Sequence, residues 1–178
     1  MPSPCDPQHA PAGDVGAALM MIDSRLRSIY DEKDEIDPEQ QKLIDQYAAS
    51  LDPEGIDDLL DGACTLIYMY MRWLRMAYED HDKDPVEYVI PSLVATMRVM
   101  PRSFPPEVIP TMVGLVVAAG TGLSPNLWRK QYGYWTEEEL TPLEATTFLL
   151  ADHINRLTED HDFATRLITE ALCRADKG

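Results

Sequence analysis

A seven-residue stretch in the middle of the chain returns almost intact nineteen residues later. Val89-Ile90-Pro91-Ser92-Leu93-Val94-Ala95 becomes Val108-Ile109-Pro110-Thr111-Met112-Val113-Gly114, each copy preceded by a glutamate, Glu87 or Glu107. Both copies lead into or sit among further apolar residues, and Pro101-Arg102-Ser103-Phe104-Pro105-Pro106 lies between them. Proline cannot continue a helix it does not start, so this pattern predicts two similar apolar helices joined by a proline-stopped turn. A central apolar helical hairpin of this kind fits only an all-α core.

The flanks agree. Period-two alternation is nearly absent and apolar residues recur at three-four spacing almost everywhere, which predicts a single compact bundle of about seven helices. After Asp14, a residue suited to an N-cap, Val15, Leu19, Ile22, Leu26 and Ile29 form a two-heptad stripe, a seam for packing or for a homodimer. The acidic run from Asp31 to Asp37 ends that helix, and Pro38 restarts one whose apolar face is Leu43, Ile44, Tyr47 and Leu51. Asp52-Pro53-Glu54 opens the longest helix, about residues 54–80, apolar on nearly every side and therefore central. Asp84-Pro85 starts the hairpin and Gly120-Thr121-Gly122 stops it. Thr136-Glu137-Glu138-Glu139 begins another long helix, with Leu140, Leu143, Thr147, Ala151, Ile154 and Leu157 on its buried face. Phe163, Leu167, Ile168, Ala171 and Leu172 mark the last. Cys64 and Cys173 fall in these patterns as small core residues. The expected organisation is a flexible tail over 1–13 and one all-α domain over 14–178.

Charge narrows the function classes. The net charge is −16, yet residues 85–135 hold only Glu87 and Glu107 against Arg98, Arg102, Arg129 and Lys130. An apolar, mildly basic middle is thus wrapped in acidic flanks, which repel phosphate backbones and anionic membranes and favour a basic protein partner. Direct nucleic-acid binding is not expected. The uncharged stretch from Val108 to Trp128 is broken by Pro110, Gly114, Gly120, Gly122 and Pro125, leaving its helical part too short to cross a bilayer. Met1 to Gly13 lacks the basic start and apolar stretch of a secretory signal, and the three cysteines show no C-x-x-C spacing. A reducing, bacterial-type cytoplasm is the expected compartment.

Several constellations could carry chemistry. Glu-Asp-His-Asp occurs at 79–82 and again at 159–162, so that His81, Asp82, His161 and Asp162 offer metal-ligand types. The paired His-Asp doublets resemble those of the metal-dependent phosphohydrolases named for that doublet. Asp57-Asp58-Leu59-Leu60-Asp61, with Asp152, Asn155 and Glu159 on one helix face, resembles the two magnesium motifs of terpene synthases, although asparagine stands where that family has serine or threonine. Glu32 with Glu35, and Glu54 with Asp57, resemble the paired carboxylates by which all-α nucleotide pyrophosphohydrolases hold Mg²⁺ over a triphosphate. A Mg²⁺-dependent phosphohydrolase using those four acids is the enzymatic alternative. The leading expectation is a non-enzymatic, acidic interaction or regulatory protein with no cofactor. Its expected contact segment is Trp128, Arg129, Lys130, Tyr132, Tyr134 and Trp135, where aromatics and bases concentrate as they do at binding hot spots.

Overall fold

The computed structural model describes residues 12–30, 53–131 and 137–177. Six helices of twelve residues or more carry it: α1 (Ala12–Tyr30), α2 (Pro53–Glu79), α3 (Pro85–Arg98), α4 (Ile109–Gly120), α6 (Leu140–Thr158) and α7 (Phe163–Lys177). A six-residue helix, α5 (Pro125–Lys130), lies between α4 and α6, and a 3₁₀ turn at Glu137–Glu139 leads into α6. There is no strand among the described residues. The fold is all-α, and the described residues hold six helices of that length against an expected total of about seven helices. The stretch read as a helix over 38–51 lies outside the described residues, as do residues 1–11 of the expected tail.

Local chemistry sets the boundaries. Asp84 caps α3 by accepting from the Val86 backbone N–H at 2.9 Å, with Pro85 in the first turn, where its missing donor costs nothing. Gly122, at φ +89°, ends α4: its N–H donates to the Ala119 carbonyl and that of Leu123 donates to Ala118. This is a Schellman arrangement, which uses the left-handed conformation that glycine reaches without steric penalty. α1 starts at Ala12, so Asp14 lies in its first turn rather than capping it.

α2 touches every other described helix, as its all-round apolar sequence predicts. Leu66, Ile67, Tyr70, Met71 and Leu74 are fully buried around it. α1 lays Val15, Leu19, Ile22 and Leu26 into the same core. These four residues of the stripe therefore serve packing within the chain, while the side chain of Ile29 lies outside the described ones. The hairpin forms, with α4 packed on α2 and α3 covering α4. The two copies of the repeat are used differently. α4 is buried at Met112, Leu115, Val116, Ala118 and Ala119, whereas α3 buries only the stripe Pro85, Val89, Leu93 and Met97. From the connecting turn, Phe104 drops fully into the core.

The last residue of the repeat explains itself in space. Ala95 is exposed, but its counterpart Gly114 faces the indole of Trp128. A methyl group on Gly114 would lie 2.7 Å from Trp128 Cη2 and 2.8 Å from Cζ2. Gly114→Ala is therefore expected to destabilise the protein by about 1–3 kcal/mol, despite alanine's better helix propensity. Urea unfolding monitored by circular dichroism measures it, and an unchanged midpoint would show that the indole moves aside freely.

Two residues expected in the core are not there. Leu157 is 46% exposed. It follows Asn155 by two residues, about 200° around the helix, and Asn155 points fully inward. Cys173 is also exposed, because α7 buries only a narrow stripe through Ala164 and Ile168.

Candidate functional site

α2 and α6 run parallel. Cys64 in α2 lies within electrostatic reach of Glu139, the residue before α6, and fourteen residues further on the Tyr78 hydroxyl meets His153 Nε2 at 3.2 Å. α3 hardly touches α6. The space left between α3 and α6 is a half-open cleft of about 270 Å³.

The cleft follows from helical spacing. Val89, Ser92, Leu93, Thr96 and Met100 form one stripe of α3 and its exit, and Phe148, Leu149, Asp152, His153 and Arg156 form the facing stripe of α6. Val89, Leu93 and Phe148 supply a buried apolar floor, while Ser92 and Thr96 stand at the α3 lip. On the α6 side Arg156 Nε pairs with Asp152 Oδ2 at 2.9 Å. At one mouth Tyr78 stacks on Tyr88, ring centroids 6.0 Å apart, and Lys83 Nζ sits 5.2 Å from the Tyr88 ring. Hydroxyls, an imidazole and an ion pair over an apolar floor suit recognition of an aliphatic or aromatic group whose orientation is fixed by the polar rim.

Burial lowers the pKa of His153 below its ordinary 6.5, partly opposed by Asp152 and reinforced by Arg156. Burial raises that of Tyr78. The imidazole is thus neutral at pH 7, and in the tautomer protonated at Nδ1 its Nε2 accepts from the tyrosine hydroxyl. A histidine whose folded pKa lies below its unfolded one stabilises the fold fully above the unfolded value, and that stabilisation is lost as pH falls toward the folded pKa. Lowering the pH from about 7.5 to about 5 should therefore reduce the wild type's urea midpoint more than that of His153→Gln. Equal reductions would mean that His153 is not held neutral by the fold.

Asp152 is the one cleft residue among those singled out by sequence for chemistry, and of the expected contact segment the described side chains, Trp128 and Arg129, do not line the cleft. Trp128 packs against the core from α5, and Arg129 is buried, its Nη2 2.6 Å from Glu139 Oε1. These two side chains hold the connection to the bundle. The Lys130 side chain and residues Tyr132, Tyr134 and Trp135 lie outside the described residues. So do Glu32, Glu35 and the side chains of Glu54 and Asp57, the acids of the expected Mg²⁺ site. The buried ion pair lies near Cys64, whose thiol pKa is pushed well above its ordinary value by burial first and by Asp61 second, leaving a protonated, unreactive core residue.

The Glu-Asp-His-Asp repeat is not a structural repeat. Both copies cap parallel helices at the same end of the bundle, but in different registers. In the first, Asp82 takes the left-handed position (φ 56°), with Asp82 N–H on the Glu79 carbonyl and Lys83 N–H on that of Tyr78. In the second, Glu159 takes it (φ 55°), with its N–H on the Arg156 carbonyl and Asp160 N–H on that of Asn155. His81 precedes its left-handed residue by one position and His161 follows by two, so the histidines are not counterparts. Among the described residues no three His, Cys, Asp or Glu side chains gather as a metal would require.

Asn155, noted for its spacing from Asp152, has a different task. Its side chain is buried, Nδ2 donating to the His161 carbonyl at 2.9 Å and Oδ1 accepting from Ala164 N–H at 2.8 Å. It ties the end of α6 to the start of α7. No protein-family model matches the chain, and neither a curated protein nor a solved structure matches it. Among the described residues no helix is long and apolar enough to cross a membrane.

Proposed function

We propose that this chain is a non-enzymatic interaction module that engages a basic protein partner through an acidic end. One observation carries the reading: the parallel course of α2 and α6 brings the acids that follow both helices to one end of the bundle. Glu79, Asp80, Asp82, Asp84 and Glu87 are exposed after α2 and at the start of α3, and Glu159 and Asp162 are exposed after α6. With a net charge of −16 behind them, these carboxylates attract a basic surface and speed its docking in a salt-sensitive way. A cytoplasmic setting fits that role.

The test is affinity capture from the source cell extract, with the retained proteins identified by mass spectrometry. A basic protein held at about 0.05 M salt should be released at about 0.5 M, where the Debye length falls to a few ångströms. It should also be lost on reversing Glu79, Asp80 and Glu159 to lysine. Retention of the same proteins by the reversed variant would refute the acidic end as the contact.

A further inference from the structure

We infer that the α3/α6 cleft is the groove that takes the apolar anchor residues of that basic partner, and that the partner presents them on a helix. The inference rests on the acidic-end reading and adds to it where the contact lies and what it recognises.

Three features of the cleft point to this occupant. The first is shape. From Val89 to Met100 the α3 wall runs about three turns, roughly 16 Å at 1.5 Å per residue. Its volume of about 270 Å³ falls below the range of about 300–1,000 Å³ that encloses a small molecule. A half-open cleft of that length and volume has room for one or two side chains from an elongated segment. The second is chemistry. The floor of Val89, Leu93 and Phe148 is apolar, while Ser92, Thr96, His153 and the Asp152–Arg156 pair offer polar partners along both lips. An amphipathic helix matches this, with anchors spaced by three or four residues and polar groups beside them.

The third is charge. One mouth lies between the start of α3 and the end of α6, where the exposed Asp84, Glu87 and Glu159 outnumber the exposed base Lys83. The other lies at the α3 exit, beside the exposed Arg98 and Arg102. A segment whose lysines or arginines cluster at one end is therefore complementary, and it seats in one direction.

Two fluorescent synthetic peptides test this by anisotropy with the full chain at low salt. Both carry lysines clustered at one end of a helix-forming sequence. One has leucines along a single stripe and the other has serines in their place. The blocking variant is Ser92→Gln with Thr96→Gln, neutral and helix-compatible changes at the lip that leave the floor intact. The leucine peptide is expected to bind the wild type at least about tenfold more tightly than the serine peptide, and the blocking variant to lose that advantage, the effect of removing one anchoring contact. The serine peptide should bind wild type and blocking variant alike.

Equal binding of the two peptides to the wild type would overturn the groove while leaving the acidic end standing. So would a leucine preference that the blocking variant retains. Failure of both peptides to bind the wild type would overturn the acidic-end reading, and the groove with it.

Discussion

Replacing Arg129 by alanine is expected to destabilise the protein by about 3–5 kcal/mol, the cost of leaving a buried carboxylate without its counter-ion. The Arg129 and Glu139 side chains retain only 8% and 11% of their exposure, so Glu139 would have no ready access to water. For a chain of this length such a loss lowers the melting temperature by about 6–20 °C. The double change Arg129→Met with Glu139→Leu should recover most of it, because two apolar side chains of similar bulk need no desolvation of charge. Thermal unfolding of the three proteins gives the comparison. The result also bears on the aromatic-basic segment. An arginine serving only a partner surface would leave stability unchanged when removed, whereas one that fastens α5 to the start of α6 would not.

Asn155→Ala should produce the next largest loss, about 2–4 kcal/mol. The truncation strips the acceptor from the buried Ala164 N–H, worth about 1–3 kcal/mol when left unmade in the interior, and adds the smaller loss of the part-buried bond to the His161 carbonyl. Hydrogen exchange at the Ala164 amide should accelerate along with the fall in urea midpoint, since its present acceptor is the Asn155 side chain. Asn155→Asp should be worse, because it keeps the acceptor, loses the donor and buries a charge. A midpoint unchanged by Asn155→Ala would mean that water replaces the side chain at the α6–α7 turn.

The sequence spacing that drew attention to Asn155 was real, but its meaning was not visible locally. Asp152 and Asn155 do lie on a single helix, with Glu159 just past its end. What they do there differs: Asp152 pairs with Arg156, Asn155 staples a turn, and Glu159 adopts the left-handed cap. The cleft was even less legible. Tyr78 reads as one more apolar position of a central helix, and His153 as a residue beside an acid. They become a site only because their helices lie side by side, 75 residues apart in the chain.

The sequence by itself determined the helical class, the main element boundaries and the central place of α2. Those features are local: proline, capping aspartate and left-handed glycine act within a turn, and a 3.6-residue period declares which faces are apolar. Tertiary structure alone decided that α2 and α6 run parallel, that α3 stands off α6 to leave a cleft, and that Arg129 is an internal fastener. It also decided that two identical tetrapeptides cap their helices in different registers. Helix periodicity says that a face must be covered but not by what. That choice is made by the joint fit of side chains distant in the chain, where an indole needs Gly114 and a carboxylate needs Arg129.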